Sequence, residues 1–223
     1  MIRLLTALLM VMIVFSLVIG TMFYYETQKS FKQEQVINKL SSDLKTFTDK
    51  DLAIKNMEET LRIAYDFLST YEAHYYSVII HDFAKKYDMP WEIFAALIRI
   101  ESNFDPTVKS EKDAKGLIQV MEATGKAVAE KIGIRFKENK TLWNDILNAC
   151  IGFSYFGEGY EEKVSEGKEV ALIHAVKRYL GGSNYSKKSD HKVYIQEYKL
   201  TIWQEYRRLI YIYKGVCSDK GNS

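Results

Sequence analysis

The stretch Pro90-Trp91-Glu92-Ile93-Phe94-Ala95-Ala96-Leu97-Ile98-Arg99-Ile100-Glu101-Ser102 decides the reading of this chain. Proline is tolerated where a helix begins, because its missing N–H has no partner in the first turn. Ile93, Phe94, Leu97, Ile98 and Ile100 then place apolar side chains around most of the helix, which marks it as a core element. Glu101 closes it. A carboxylate is out of place at a helix C-terminus, where the macrodipole is negative. Partial burial and that dipole both raise a carboxyl pKa. A carboxyl kept protonated near neutral pH is what a general acid needs to protonate a glycosidic oxygen. Taken alone, such a glutamate reads as a solvated helix end, so its meaning depends on what surrounds it.

Outward from this helix the chain reads as all-α. Tyr76–Tyr87 precedes it with helical spacing, and a polar loop, Glu101–Lys115, follows it with Pro106 inside. Gly116–Ile132 is expected to be helical with Gly133 as its stop, and Leu142–Phe156, Glu169–Leu180 and Val193–Tyr213 continue the pattern. No alternating strand pattern is convincing, so a bundle of roughly six to eight helices is expected.

Upstream, Leu4–Tyr25 is 22 residues without a charge. As a helix it would reach about 33 Å, enough for a hydrocarbon core. We read residues 1–25 as a transmembrane anchor or uncleaved signal. A cleaved signal peptide is the competing reading, but no clean A-x-A site follows. Residues 26–75 form a helical connector without Gly or Pro. Ile37, Leu40, Leu44 and Phe47 have heptad spacing, which Ile54, Leu61, Tyr65 and Leu68 continue. Asp51 and Glu58 interrupt the seam, and Thr48 and Asp49 are candidate caps that split the stretch. Two amphipathic helices packed on the following domain are favoured over a dimeric coiled-coil stalk. Residues 76–213 are the expected catalytic domain, and 214–223 a polar tail.

Composition excludes other classes. Lys and Arg number 31 against 29 Asp and Glu, a net charge of +2, so no nucleic-acid partner is indicated. With two Cys, neither a disulfide scaffold nor a multi-cysteine metal module is possible. The spacing of Cys150 and Cys217 does not say whether they pair. His74, His81, His174 and His191 show no zinc-like spacing, and His174 reads as a satisfied core histidine. No metal is expected.

From Glu101 the chain continues Ser102-Asn103-Phe104-Asp105-Pro106, then Ser110, then Ala114-Lys115-Gly116-Leu117-Ile118-Gln119-Val120-Met121-Glu122. This order resembles the Slt-type lytic transglycosylases, the goose-lysozyme-like murein-cleaving family. Their pattern is Glu-Ser, a loop ending in Ser, then Gly-Leu-Met-Gln and Met-Pro. Asn148, Gly152 and Tyr155 resemble a later segment, Arg178-Tyr179-Leu180-Gly181-Gly182 falls at the Tyr-Asn motif, and Tyr194-Ile195 at the late Tyr-Val motif. The resemblance spans about residues 78–210.

The resemblance implies a lysozyme-like helical domain and a peptidoglycan lytic transglycosylase that needs no cofactor. Glu101 matches the family's single catalytic acid and base. Ser110, Gln119, Met121, Tyr155, Tyr179 and Tyr194 match residues near it or along the glycan groove, and Gly116 matches the motif's glycine. Asp105 and Asp113 are the nearest candidate second carboxylates, and both read better as turn formers. Leu180 stands where the motif has Asn, and Glu122 where it has Pro.

The implied partners are peptidoglycan glycan strands, the cytoplasmic membrane through the N-terminal helix, and cell-envelope proteins. The implied location is the inner membrane, with a single pass and the catalytic domain in the periplasm or otherwise outside the cytoplasmic membrane. Charge counting points weakly the other way, since Arg3 precedes the apolar segment and Lys29 and Lys32 follow it. The resemblance overrules it, because the substrate lies outside. A hydrolytic muramidase and a catalytically inactive glycan-binding scaffold of the envelope are the alternatives.

Overall fold

The computed structural model describes residues 2–138, 140–181 and 192–220; the side chains of 2–11, 13, 14, 192–195, 219 and 220 lie outside the described set. Among the described residues there are seven α-helices: α1 Ile2–Ala64, α2 Thr70–Lys86, α3 Trp91–Ser102, α4 Glu122–Lys131, α5 Asp145–Glu161, α6 Lys168–Gly181 and α7 Lys192–Lys220. Short 3-10 turns at Thr141–Trp143 and Val164–Glu166 complete them, and the only β-pairing described is two isolated bridges. The all-α expectation holds.

The chain divides into two units, Met1–Leu52 and Ala53–Ser223. The first consists of the early part of α1. Its described apolar side chains, among them Phe15, Leu17, Ile37, Leu40, Leu44 and Phe47, are exposed. Among the described residues no helix is long and apolar enough to cross a membrane. The expected span Leu4–Tyr25 falls partly on side chains outside the described set.

The connector departs from expectation in two ways. Thr48 does not cap a new helix. Its hydroxyl donates back to the carbonyls of Leu44 and Lys45 at 3.1 and 2.8 Å, which satisfies it inside a continuous α1. The break comes instead at Ala64. There Arg208 of α7 donates to the Ala64 carbonyl at 2.6 Å, a cation on the free end of the helix. Ser69 opens α2 with a capping box: its hydroxyl accepts from the Glu72 N–H at 3.2 Å, and the Glu72 carboxylate accepts from the Ser69 N–H at 2.9 Å. Ile54, Leu61, Tyr65 and Leu68 of the continued register are buried, as is Met57. The earlier seam, Ile37 to Phe47, has no packed face in the structure. The second unit begins at Ala53, and α7 runs to Lys220.

The core of the second unit is built around α3, whose Ile93, Phe94, Ala95, Leu97 and Ile98 are fully buried. Each large apolar side chain contributes about 1.5–3 kcal/mol on burial. Phe94 meets Phe153 of α5 edge-on at 4.7 Å, and Phe83 of α2 meets the same ring at 5.2 Å. Gly157 of α5 faces the Tyr87 ring so closely that an added Cβ would lie 2.5 Å from it, so only glycine admits this packing. Ile202 and Leu209 of α7 close the other side.

The expected helix Gly116–Ile132 is largely a correction. Only Glu122–Lys131 is α-helical, with Gly133 at φ +73° just beyond it. Before it, Lys115 and Val120 exchange backbone hydrogen bonds at 3.1 and 3.0 Å, and Gly116 and Gln119 sit at φ +78° and +45°. Two left-handed residues in four do not fit a helix.

Candidate active site

The loop between α3 and α4 forms one wall of the site, and a buried amide holds it. Asn148 of α5, with no exposure, donates to the carbonyls of Lys115 and Leu142 at 2.7 and 3.0 Å and accepts from the Ile118 N–H at 2.8 Å. One side chain thus serves three backbone groups, of which the Lys115 carbonyl also accepts from the Val120 N–H. The loop passes so close that a Cβ on Gly116 would lie 2.4 Å from the Leu142 carbonyl. Gly116 is thus required twice, by φ and by space. The Glu122 departure from the family pattern has a local use: its carboxylate pairs with the buried Lys115 ammonium at 2.5 Å, and its place in the first turn of α4 suits the helix dipole.

Glu101 stands in the last turn of α3, at a cleft of about 620 Å³. The lining includes Ser110, Gln119, Met121, Tyr155, Tyr179 and Leu180, together with Glu111, Lys112, Ala114, Val120, Thr124, Gly152 and Gly181. Of the seven expected site residues, Ser110, Gln119, Met121, Tyr155 and Tyr179 line this one cleft with Glu101. The side chain of Tyr194 lies outside the described residues.

Burial pushes the Glu101 carboxyl up to about 7, against a partial lowering by a hydrogen bond from the Tyr198 hydroxyl. Tyr198 is buried and sits on α7, one turn beyond Tyr194. It was not among the expected site residues. The late Tyr-Val motif falls on the same helix, four residues before Tyr198. Glu111 was also missed, because an exposed loop carboxylate has no sequence signature. Besides Glu101 it is the carboxylate among the described cleft-lining residues.

The other expected residues divide by role. The Ser110 hydroxyl accepts from the Ala114 N–H at 3.0 Å, fixing the loop tip. The Gln119 amide donates to the carbonyls of Val108 and Gly116 at 3.0 and 2.9 Å, so it braces the wall it lines. Met121, 43% exposed at the cap of α4, offers an apolar rim. Tyr155 and Tyr179 are adjacent, with ring centroids 6.0 Å apart. The Tyr179 hydroxyl donates to the Ile118 carbonyl, and the Tyr155 hydroxyl to the Arg178 carbonyl at 3.3 Å. The Arg178 guanidinium lies 4.5 Å over the Tyr155 ring, a cation–π contact. Leu180 packs partly against the core while lining the cleft.

The turn-forming reading of Asp105 and Asp113 fits the geometry. Asp105 accepts from the N–H and hydroxyl of Thr107 at 2.8 and 2.6 Å, and Asp113 pairs with Lys109 at 2.6 Å. These bonds hold both carboxyls below their ordinary range. Cys150 and Cys217 are free thiols. His174 is bonded to Glu162 at 2.8 Å. Among the described residues no group of three or more metal-binding side chains occurs.

The site is thus a half-buried, protonatable carboxyl at the end of an apolar helix, facing an aromatic-walled cleft in an all-α unit. Residues 79–202, more than half of the chain, match the family model of the transglycosylase SLT domain, and the chain belongs to that family. No curated protein sequence matches it. Solved structures similar to it include an inactive mutant of the lytic transglycosylase Slt from Pseudomonas aeruginosa, at 20% identity and TM-score 0.45 over 73% of this chain and 26% of that one. Another is the 70-kDa soluble lytic transglycosylase of Escherichia coli, at 20% identity and TM-score 0.42 over 75% and 27%. The 70-kDa soluble lytic transglycosylase in complex with bulgecin A matches at 20% identity and TM-score 0.43 over 75% and 27%. The chain spans about a quarter of the length of these proteins.

Proposed function

We propose that this chain is a peptidoglycan lytic transglycosylase that cleaves the β-1,4 bond between N-acetylmuramic acid and N-acetylglucosamine without consuming water. The observation that carries the reading is Glu101: a carboxyl whose burial pushes it up to about 7, opening onto a cleft walled by Tyr155 and Tyr179, in a chain of the SLT family. Near neutral pH a large share of such a group keeps its proton. Glu101 donates that proton to the glycosidic oxygen as the bond to C1 breaks, and N-acetylglucosamine leaves with a free hydroxyl. The positive charge at C1 is stabilised by the substrate's own acetamido oxygen. Glu101, now a carboxylate, takes the proton of the muramoyl 6-hydroxyl, whose oxygen bonds to C1. The product end is 1,6-anhydro-N-acetylmuramic acid, and Glu101 regains its proton. Tyr198 positions the carboxyl through its hydroxyl, and the tyrosine rings offer faces for sugar C–H groups.

Glu111 supports a second reading. A second carboxylate in the cleft is what a hydrolytic glycosidase uses to activate water or form a covalent intermediate.

The membrane reading belongs to the same proposal: residues 1–25 anchor the chain, with the catalytic domain outside the cytoplasmic membrane. It is supported by the uncharged run Leu4–Tyr25 inside α1 and by the exposure of its described apolar side chains.

The test is to incubate the protein and its Glu101→Gln variant with murein sacculi and read the soluble products by mass spectrometry. Anhydro-muropeptides from the wild type alone are expected. Reducing ends would establish the muramidase. Retention on sacculi with no release would leave a glycan-binding scaffold.

A further inference from the structure

In the first unit, α1 presents a narrow apolar seam to solvent. Ile37, Leu40, Leu44 and Phe47 are each 62–65% exposed, and they belong to no buried cluster among the described residues. All seven residues between them are polar. The helix runs unbroken through Thr48, so the four side chains share one continuous element. Helices in water draw most of their stability from packing an apolar face, and this face packs on nothing within its unit. Its period is seven residues: Ile37 and Leu44 hold one seam position, Leu40 and Phe47 the other. A helix lying on a domain or a lipid surface carries a broader apolar stripe, whereas a strict seam of this kind fits another helix.

We propose that the seam Ile37–Phe47 is the interface between two copies of this chain, joined as a parallel, in-register coiled coil. In that arrangement each layer meets itself, so all four layers set apolar against apolar. Ile at the first seam position with Leu at the second, as in Ile37 and Leu40, is the combination that favours two parallel strands. The flanks carry no like-charge contact: Val36 and Asp43 fall opposite Ser41 and Thr48 of the second copy. The seam also has a built-in end. Its next layers would oppose Asp51 to Asp51 and Glu58 to Glu58, a repulsive arrangement. Ile54, in the same register, is buried in the second unit instead. Pairing therefore stops less than two turns before Ala53, where that unit begins. Four layers bury roughly 500–1,000 Å², less than a standard stable interface, so the pair is weak and reversible. It is independent of the chemistry proposed at Glu101.

The full chain in detergent micelles, with Cys150 and Cys217 replaced by Ala, carries one new cysteine at a time, and micelles are kept in large excess over chains. Leu40→Cys and Leu44→Cys lie on the seam; Ser42→Cys and Lys45→Cys lie on the outer face. Under mild oxidation the two seam variants are expected to form disulfide-linked dimers at least about tenfold faster than the two outer ones, because only the seam holds equivalent thiols close together. Adding Ile37→Lys to the Leu44→Cys chain sets two ammonium groups in one layer. It should bring linkage down to the outer-face rate while the melting temperature of the second unit and the release of muropeptides stay unchanged. Equal rates at all four positions would overturn the proposal. So would linkage found only when Leu40→Cys and Leu44→Cys chains are mixed, the mark of an antiparallel pair. Slow linkage throughout overturns it as well, and a dye on the Leu44→Cys thiol that then reports an apolar surround assigns the face to lipid or detergent.

Discussion

Helix α3 carries a carboxyl at each end, Glu92 buried and Glu101 half-buried, and only Glu101 faces the cleft. Glu92 in the first turn is buried, and its pKa is raised by burial while its own backbone N–H lowers it. Its charge is felt by Tyr206 and Tyr213 of α7, and it does not line the Glu101 cleft. Glu101 in the last turn is raised to about 7 by the same cause, but opens onto a cleft and receives a hydrogen bond from Tyr198. Burial therefore accounts for the shifted pKa at both ends, whereas access to substrate and a positioning partner exist at one. A raised carboxyl pKa marks a site only when a cavity meets it.

The largest expected effect separates the two ends directly. Glu101→Gln should lower the release of anhydro-muropeptides about a thousandfold, the usual scale of lost general acid–base catalysis. Glu92→Gln should leave it within about twofold. Equal losses in both variants would break the comparison.

The next effect probes the partner. The acid form of Glu101 is the active one at the start of the reaction, so kcat/KM on soluble glycan should fall as pH rises through about 7. The Tyr198 hydroxyl lowers that pKa. Tyr198→Phe is therefore expected to move the descending limb up by roughly one pH unit and to lower the rate at pH 6 about tenfold. A limb that moves down, or does not move, removes Tyr198 from the site.

Thermal melting gives the third test. The folded pKa of Glu101 lies above its ordinary value, so the folded state holds a proton that the unfolded state releases. Stability from this group is full below pH 4.5 and is lost as pH rises to about 7. Glu101→Gln, neutral throughout, should match the wild type at pH 4 and melt roughly 5 °C higher at pH 8. The Glu92→Gln variant should shift melting in the same direction and by less, since the backbone N–H at its end of the helix favours its charge. This is the smallest of the effects, and a larger shift for Glu92 would reverse the ranking of the two environments.

Much of the site was legible in the sequence because its residues are local. Glu101 closes an apolar helix, and Ser110, Gly116, Gln119 and Met121 follow within one loop. The loop's conformation was not legible. Gly116–Met121 reads as the start of a helix by composition, and only Asn148, some thirty residues away, holds it in left-handed turns. Gln119 was assigned to the groove and lines it, but its amide is spent on bracing the loop, a matter of two carbonyl positions that no spacing reveals. The break at Ala64 was misplaced because Thr48 has a cap's chemistry wherever it stands. Whether its hydroxyl caps or folds back depends on whether the helix continues, and α1 continues to Ala64, whose carbonyl accepts from Arg208 of α7.

The sequence by itself determined the helical class, the apolar helix with its closing carboxyl, and the ordered motifs that carry the family. Periodicity, capping chemistry and short-range spacing are properties of neighbouring residues. Tertiary structure alone decided that Tyr198 meets Glu101, that Glu111 shares the cleft, and that Asn148 holds the Gly116–Met121 loop. Each depends on distances between helices far apart in the chain. Those distances follow from how α3, α5, α6 and α7 pack against one another, which burial and close approach fix and which no single helix encodes.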